Sequence, residues 1–107
     1  MPRKPEYEVI FDTLTLDHMN AIESKYHALI RRTVDEQLNH EPDVPTRNRK
    51  PLLRETVTTA TWELRCGPDN RFRIFYDVHP EQRLVVVLAI ARKVRNQLFV
   101  GKEKFEP

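Results

Sequence analysis

Between residues 61 and 93 the chain carries three apolar, strand-like runs, TWELRC, RFRIFYDV and RLVVVLAIARK. Gly67, Pro68, Asp69 and Asn70 divide the first pair, and His79, Pro80, Glu81 and Gln82 divide the second. These are the residue types that tight turns select, so the pattern predicts an antiparallel meander. Residues 84–91 are apolar on both sides, which predicts the most buried strand of the sheet. Upstream, YEVIF at residues 7–11 is short, β-branched and aromatic, with Tyr7, Val9 and Phe11 on one side, and reads as a strand. Over residues 16–38 the period lengthens: Ile22, Tyr26, Ile30, Thr33, Val34 and Leu38 recur at three- and four-residue spacing, as on one face of a helix. Two helices are expected here, because Ser24 is a credible N-cap and a pair covers a sheet face better than one rod. Pro42 and Pro45 end the helical region, and VPTRNRKPLLR at residues 44–54 reads as a basic loop. Residues 95–99 predict a short terminal helix, with Gly101 as its stop. The expected fold class is α+β, a single domain over residues 1–107: N-terminal strand, helix pair, basic loop, three-stranded antiparallel meander and short C-terminal helix.

Composition narrows the class. With 39% hydrophobic and 32% charged residues the chain is expected to fold as a globular domain and not to stay disordered. A lone cysteine, Cys66, excludes an intramolecular disulfide and suits a reducing cytoplasm. No signal peptide is visible and the longest apolar run is too short to span a bilayer, so a cytoplasmic protein without membrane contact is expected. The net charge of +2 conceals an asymmetry. Residues 1–43 hold five basic residues against nine acidic ones, net −4, whereas residues 44–107 hold thirteen against seven, net +6. The basic half is the half with the meander, and a clustered positive field draws phosphate, which makes nucleic acid a candidate partner. From charge alone an ordinary solvated surface is about as good a reading.

The arginines sharpen the picture. Arg65 and Arg73 lie inside strand-like runs, and Arg92, Lys93 and Arg95 close the last one. Guanidinium groups are costly to bury unpaired, so these should emerge on one surface or meet an anion. Arg47, Arg49, Lys50 and Arg54 of the basic loop extend that surface, with a plain solvated connector as the alternative. Other constellations are weaker. His18, His27, His40 and His79 are scattered and read as surface or capping residues, and Cys66 reads as a small buried hydrophobe. Trp62 and Tyr76 are most economically core or rim aromatics. Only Gly67 and Gly101 are available, which excludes phosphate-cradling P-loops and dinucleotide fingerprints.

The order strand, helix pair, basic loop and meander resembles the RelE/ParE family of toxins of type II toxin–antitoxin systems. The likeness covers nearly the whole chain and is concentrated in ATWELRCGPDNRFRIFYDV, EQLNHEPDVPTRNRKPL and VVVLAIARKVRNQLF. The resemblance implies a small cytoplasmic toxin neutralised by a cognate antitoxin protein. RelE-type members cut mRNA on the ribosome, and ParE-type members act on DNA gyrase.

RelE-type cleavage is attack by a ribose 2′-hydroxyl on the adjacent phosphate. It requires a proton acceptor, cations around the phosphorane and a group near the leaving 5′ oxygen, but no metal or other cofactor. By resemblance Arg73 contacts the scissile phosphate, Arg65 is a basic position on the preceding strand, and Lys93, or its neighbour Arg92, is the second cation. These three, Arg65, Arg73 and Lys93, are the candidate catalytic residues; Arg47, Arg49, Lys50, Arg92, Arg95 and Phe99 are candidate substrate-binding residues. The chain departs from the family pattern where Thr61 and Glu63 replace lysines and Phe99 replaces a tyrosine. Phe99 can stack on a base but cannot exchange a proton. Glu63 is a possible substitute base, its alternative being a strand residue paired with Arg65 or Arg73. The departures keep two other readings open: a toxin of the same fold that acts on DNA gyrase or another protein without chemistry, and a plain RNA-binding domain.

Overall fold

The computed structural model describes residues 6–53 and 59–105; Arg3, Lys4 and Arg54, counted above among the basic residues, lie outside them. The chain runs β1 (Glu8–Phe11), α1 (Leu14–Asn20), a 3₁₀ turn (Ser24–Tyr26), α2 (His27–Leu38), β2 (Arg49–Pro51), β3 (Trp62–Cys66), β4 (Phe72–His79), β5 (Leu84–Val94), β6 (Gln97–Val100) and β7 (Glu103–Phe105). The fold is α+β. Strands β3, β4 and β5 pair antiparallel in sequence order, with Arg65 opposite Arg73 and Phe72 opposite Arg92, as the meander pattern requires. Both breaks between them are 3₁₀ turns, Pro68–Asn70 and Pro80–Gln82, at the predicted turn clusters.

Strand β5 is the spine of the sheet. Val85, Val87, Ala89, Ile90 and Ala91 are buried on it. One edge pairs with β4 throughout, and the other is shared: β1 lies parallel along residues 84–87 and β6 antiparallel along residues 91–94. Leu88 is an extra residue in β5, since Phe75 faces Ala89 while the next residue, Tyr76, faces Val87. Such a bulge reverses the in–out alternation beyond it.

Two helices form, as expected, and both pack on one side of the sheet. Met19 and Ile22, with Ile30, Val34 and Leu38 of α2, share a core with Leu64, Phe72, Ile74, Tyr76, Val85, Val87 and Ile90. Ser24 does not cap α2. It opens the 3₁₀ turn, and α2 begins after Tyr26 with no side-chain cap. His27 fastens the junction instead, donating from Nε2 to the Ile22 carbonyl at 2.8 Å. On the other side of the sheet a smaller cluster of Ala60, Phe75, Ala89 and Ala91 is flanked by Leu52, Leu88, Leu98 and Val100, with no helix over it among the described residues. That side is the open face.

Two expectations are corrected. Residues 95–99 form no helix: Arg95 takes φ 58° in a tight turn and the chain returns as β6, followed by β7. The reason is the sheet edge, because β1 ends opposite Val87 and leaves the backbone of residues 91–94 to be paired by a hairpin. The basic loop is also partly strand, with β2 pairing Arg49, Lys50 and Pro51 against Leu64, Glu63 and Trp62.

Candidate functional site

Alternation along each strand, corrected for the bulge, assigns the arginines to faces. Leu64, Phe72 and Ile74 belong to the helix-side core, so Glu63, Arg65 and Arg73 project from the open face. There they form one cluster. Glu63, only 4% exposed, takes Arg73 Nη1 at 3.1 Å and Arg65 Nε at 3.8 Å on Oε1, and Lys50 Nζ at 3.7 Å on Oε2. Three cations thus surround one carboxylate, a formal excess of two positive charges. The Nε atoms of Arg65 and Arg73 are buried without a hydrogen-bond partner. Orphaned donors of this kind cost free energy that an arriving anion can recover. Beyond Arg73 along the sheet come its partner Ala91 and then Lys93, on the same face two residues further along β5. The order across the open face is therefore Glu63, then the Arg65–Arg73 pair, then Lys93, with successive rows roughly 7 Å apart along the strands.

The remaining expected residues are dispersed. Arg92 and Phe99 face each other across β5 and β6, with the guanidinium 5.1 Å above the ring, and alternation puts them on the helix side, away from Arg73. Arg95 is exposed in the turn to β6, and Arg47 is exposed before β2. Arg49 is 8% exposed and structural: its Nε donates to the Val44 carbonyl at 3.2 Å and its Nη1 to the Gln37 carbonyl. Gln37 lies in the last turn of α2, whose carbonyls have no intrahelical partner, so the guanidinium closes the helix end and is spent there.

Other residues match their plainer readings. Cys66 is buried, and desolvation pushes its thiol up to about 11, so it is no nucleophile at neutral pH. Tyr76 is fully buried, donates to the Pro42 carbonyl at 2.8 Å and stacks on Trp62 at 6.1 Å; burial raises its phenol above the ordinary range. Arg71 was not singled out from the sequence, and His18, expected as a surface or capping residue, has a different role. Arg71 donates from Nη1 to Tyr26 Oη at 3.0 Å, a partner 45 residues away that local sequence does not signal. His18 Nδ1 accepts the Ile90 N–H at 3.2 Å, a partner 72 residues away that local sequence does not signal. Among the described residues no group of three histidine, cysteine or acidic side chains is placed to hold a metal, and no helix is long and apolar enough to cross a membrane.

A two-helix layer on a mostly antiparallel sheet, with a basic open face, defines a RelE-like α+β fold. A solved structure that shares it is the toxin–antitoxin complex RelBE2 from Mycobacterium tuberculosis: a chain of that complex superposes with a TM-score of 0.67 at 24% identity, over 87% of this chain and 98% of that one. The sequence matches no protein-family model and no curated protein.

Proposed function

We propose that this chain is the toxin of a toxin–antitoxin pair and that it cleaves messenger RNA on the ribosome through its open face. The observation that carries this reading is the order Glu63, Arg65–Arg73, Lys93 across that face. A strand of RNA with its scissile phosphate on the two guanidinium groups has a carboxylate on one side and an ammonium on the other. In-line attack by a 2′-hydroxyl needs a proton acceptor and a cation on opposite sides of the phosphorus. Glu63 accepts the 2′-hydroxyl proton once phosphate oxygens have drawn Arg73 and Arg65 away from it. The guanidinium forks hold the two non-bridging oxygens as negative charge builds. Lys93 stabilises and protonates the departing 5′ oxygen, leaving a 2′,3′-cyclic phosphate and a 5′-hydroxyl. The fold shared with a chain of a toxin–antitoxin complex supports an antitoxin as the natural partner of this chain.

The test is Arg73→Ala. Losing one preorganised cation at the transition state typically costs on the order of 3 kcal/mol, so cleavage mapped by primer extension in a translating extract is expected to fall about a hundredfold. Arg73→Lys should recover little, because a point charge does not replace the fork. If the parent protein arrests growth with no cuts in mRNA, the chemistry is wrong and the reading moves to a protein target such as DNA gyrase.

A further inference from the structure

A concavity lies on the helix side of the sheet, opposite the Glu63 cluster, where the 3₁₀ turn after α1 meets the ends of β4 and β5. It encloses about 310 Å³, at the small end for a pocket that takes a whole small molecule. Ala21, Ile22 and Tyr26 form one wall and Arg71 and Arg92 another, with residues 93–95 at the margin where β5 ends. A shallower hollow of about 200 Å³ adjoins it, again lined by Arg71 and Lys93 and by Arg95. Among the described residues none of Arg71, Arg92, Lys93 and Arg95 has a carboxylate within ion-pair distance. Of the two acids in these linings, Glu23 is turned to Lys25 at 3.7 Å, and Asp69 borders the smaller hollow without an ion pair to its arginines or lysine.

The pocket's two guanidinium groups are each set against an aromatic ring. Arg71 is bonded to Tyr26 Oη and lies 5.4 Å from the centre of that ring, which is itself tilted against buried Phe72 at 5.3 Å. Arg92 rests over Phe99, and its Nε is buried with no hydrogen-bond partner. Two fixed guanidinium groups and a nearby ammonium, with no counter-charge of their own, suit a doubly charged oxyanion better than a carboxylate. The apolar wall of Ala21 and Ile22 beside the Tyr26 ring suits a sugar and base attached to that anion.

We propose that this pocket binds the phosphate monoester of a nucleotide, with Arg71 and Arg92 as its anion ligands and Tyr26 as the ring against which the nucleoside rests. Arg71 and Arg92 lie away from the Glu63 cluster, and Lys93, at the end of β5, is the one residue of the lining that the proposed cleavage also uses. A free nucleotide and the 5′-phosphate end of an RNA strand offer the same group, and the two are distinguished by experiment.

The experiment is titration of the whole chain with 5′-AMP, adenosine, inorganic phosphate, and a tetranucleotide with and without a 5′-phosphate, followed by backbone amide shifts. Saturable shifts at Ala21, Tyr26 and Arg71 with 5′-AMP are expected, with adenosine at least about tenfold weaker. Arg92→Gln is expected to weaken 5′-AMP by about tenfold or more, and Arg71→Gln supplies the same test should the first variant fold poorly. Arg73→Gln, on the opposite face, should leave this binding within about twofold. If only the phosphorylated tetranucleotide shifts Ala21, Tyr26 and Arg71, and the dependence on its 5′-phosphate vanishes in Arg92→Gln, the source is an RNA end and the site stands. If no phosphorylated probe binds, or if Arg73→Gln and not Arg92→Gln removes binding, the proposal is overturned.

Discussion

Glu63 has two roles at once, as the anion that lets Arg65, Arg73 and Lys50 gather and as the candidate proton acceptor. The two roles separate under substitution. Glu63→Gln keeps the shape and removes the charge, so cleavage should fall while RNA binds more tightly, the local excess of positive charge having grown by one. A stability cost of about 1–2 kcal/mol is expected in a urea titration, less than for a fully buried pair because Arg65 and Lys50 are 35% and 54% exposed at their side chains. Unchanged cleavage with the same loss of stability would leave Glu63 as an organiser of the arginines alone. A second residue-scale expectation concerns Gly67, at φ 81° between β3 and β4. A Cβ there would come within 2.5 Å of Phe72 Cδ2, in a backbone region that other residues avoid. Gly67→Ala is expected to destabilise the fold by roughly 2 kcal/mol or more, read as a drop in denaturation midpoint.

At the scale of elements, the weak point of the sheet is the gap along β5 between the end of β1 and the start of β6. Backbone groups there have no strand partner, and α1 fills the gap by offering His18 Nδ1 to the Ile90 N–H. That bond requires a neutral ring. Burial holds His18 below the ordinary histidine range, with Asp17 and Asp12 opposing the shift. The unfolded chain therefore binds a proton more readily than the folded one, so this contribution is complete above about pH 6.5 and is lost as pH falls through and below that value. Denaturation midpoints compared at about pH 7.5 and pH 5.5 should fall for the parent protein and fall measurably less for His18→Gln, whose amide oxygen accepts the same bond without titrating. Equal losses in the two proteins would remove His18 from the account. Arg49 is the corresponding device at the far end of α2, a strand residue that closes a helix and so ties the two layers together.

For the whole molecule, the charge asymmetry along the sequence divides between its elements. Net −4 falls on the portion holding β1, α1 and α2, and net +6 on the portion that builds β2–β7. A partner that covers the open face is expected to be acidic with apolar anchors, since Leu52, Leu88, Leu98 and Val100 flank the Glu63 cluster there. Association of such an antitoxin should be steered by charge, its on-rate dropping by about tenfold or more over a roughly tenfold rise in salt. Stopped-flow mixing at two salt concentrations checks this, and a flat on-rate would mean that the antitoxin docks elsewhere.

Local sequence determined β1, the three meander strands and the turns between them. The meander was legible because each of its strands alternates or is uniformly apolar and each turn contains its own turn formers, and α2 followed from three- and four-residue spacing, whereas the break that separates it from α1 came after Asn20 and not through a Ser24 cap. The pairing of Glu63 with Arg65 and Arg73 was foreseeable too, because a short turn sets Arg65 opposite Arg73, and Glu63, two residues from Arg65 on the same face, is then a diagonal neighbour of Arg73. What tertiary structure alone decided was the face on which each cation emerges. Counting alternate residues from Val85 would put Arg92 on the open face and Lys93 on the helix side; the extra Leu88 reverses that order, and a single bulged residue leaves no mark in an apolar run. The C-terminal hairpin and the burial of Arg49 have the same origin. Residues 97–100 are strand because an unpaired edge of β5 waits for them, and Arg49 is buried because the end of α2 lies over it. Those partners are 12 residues away for Arg49 and supplied by the assembled sheet for β6, so free backbone groups brought together by folding, and not local preference, selected these conformations.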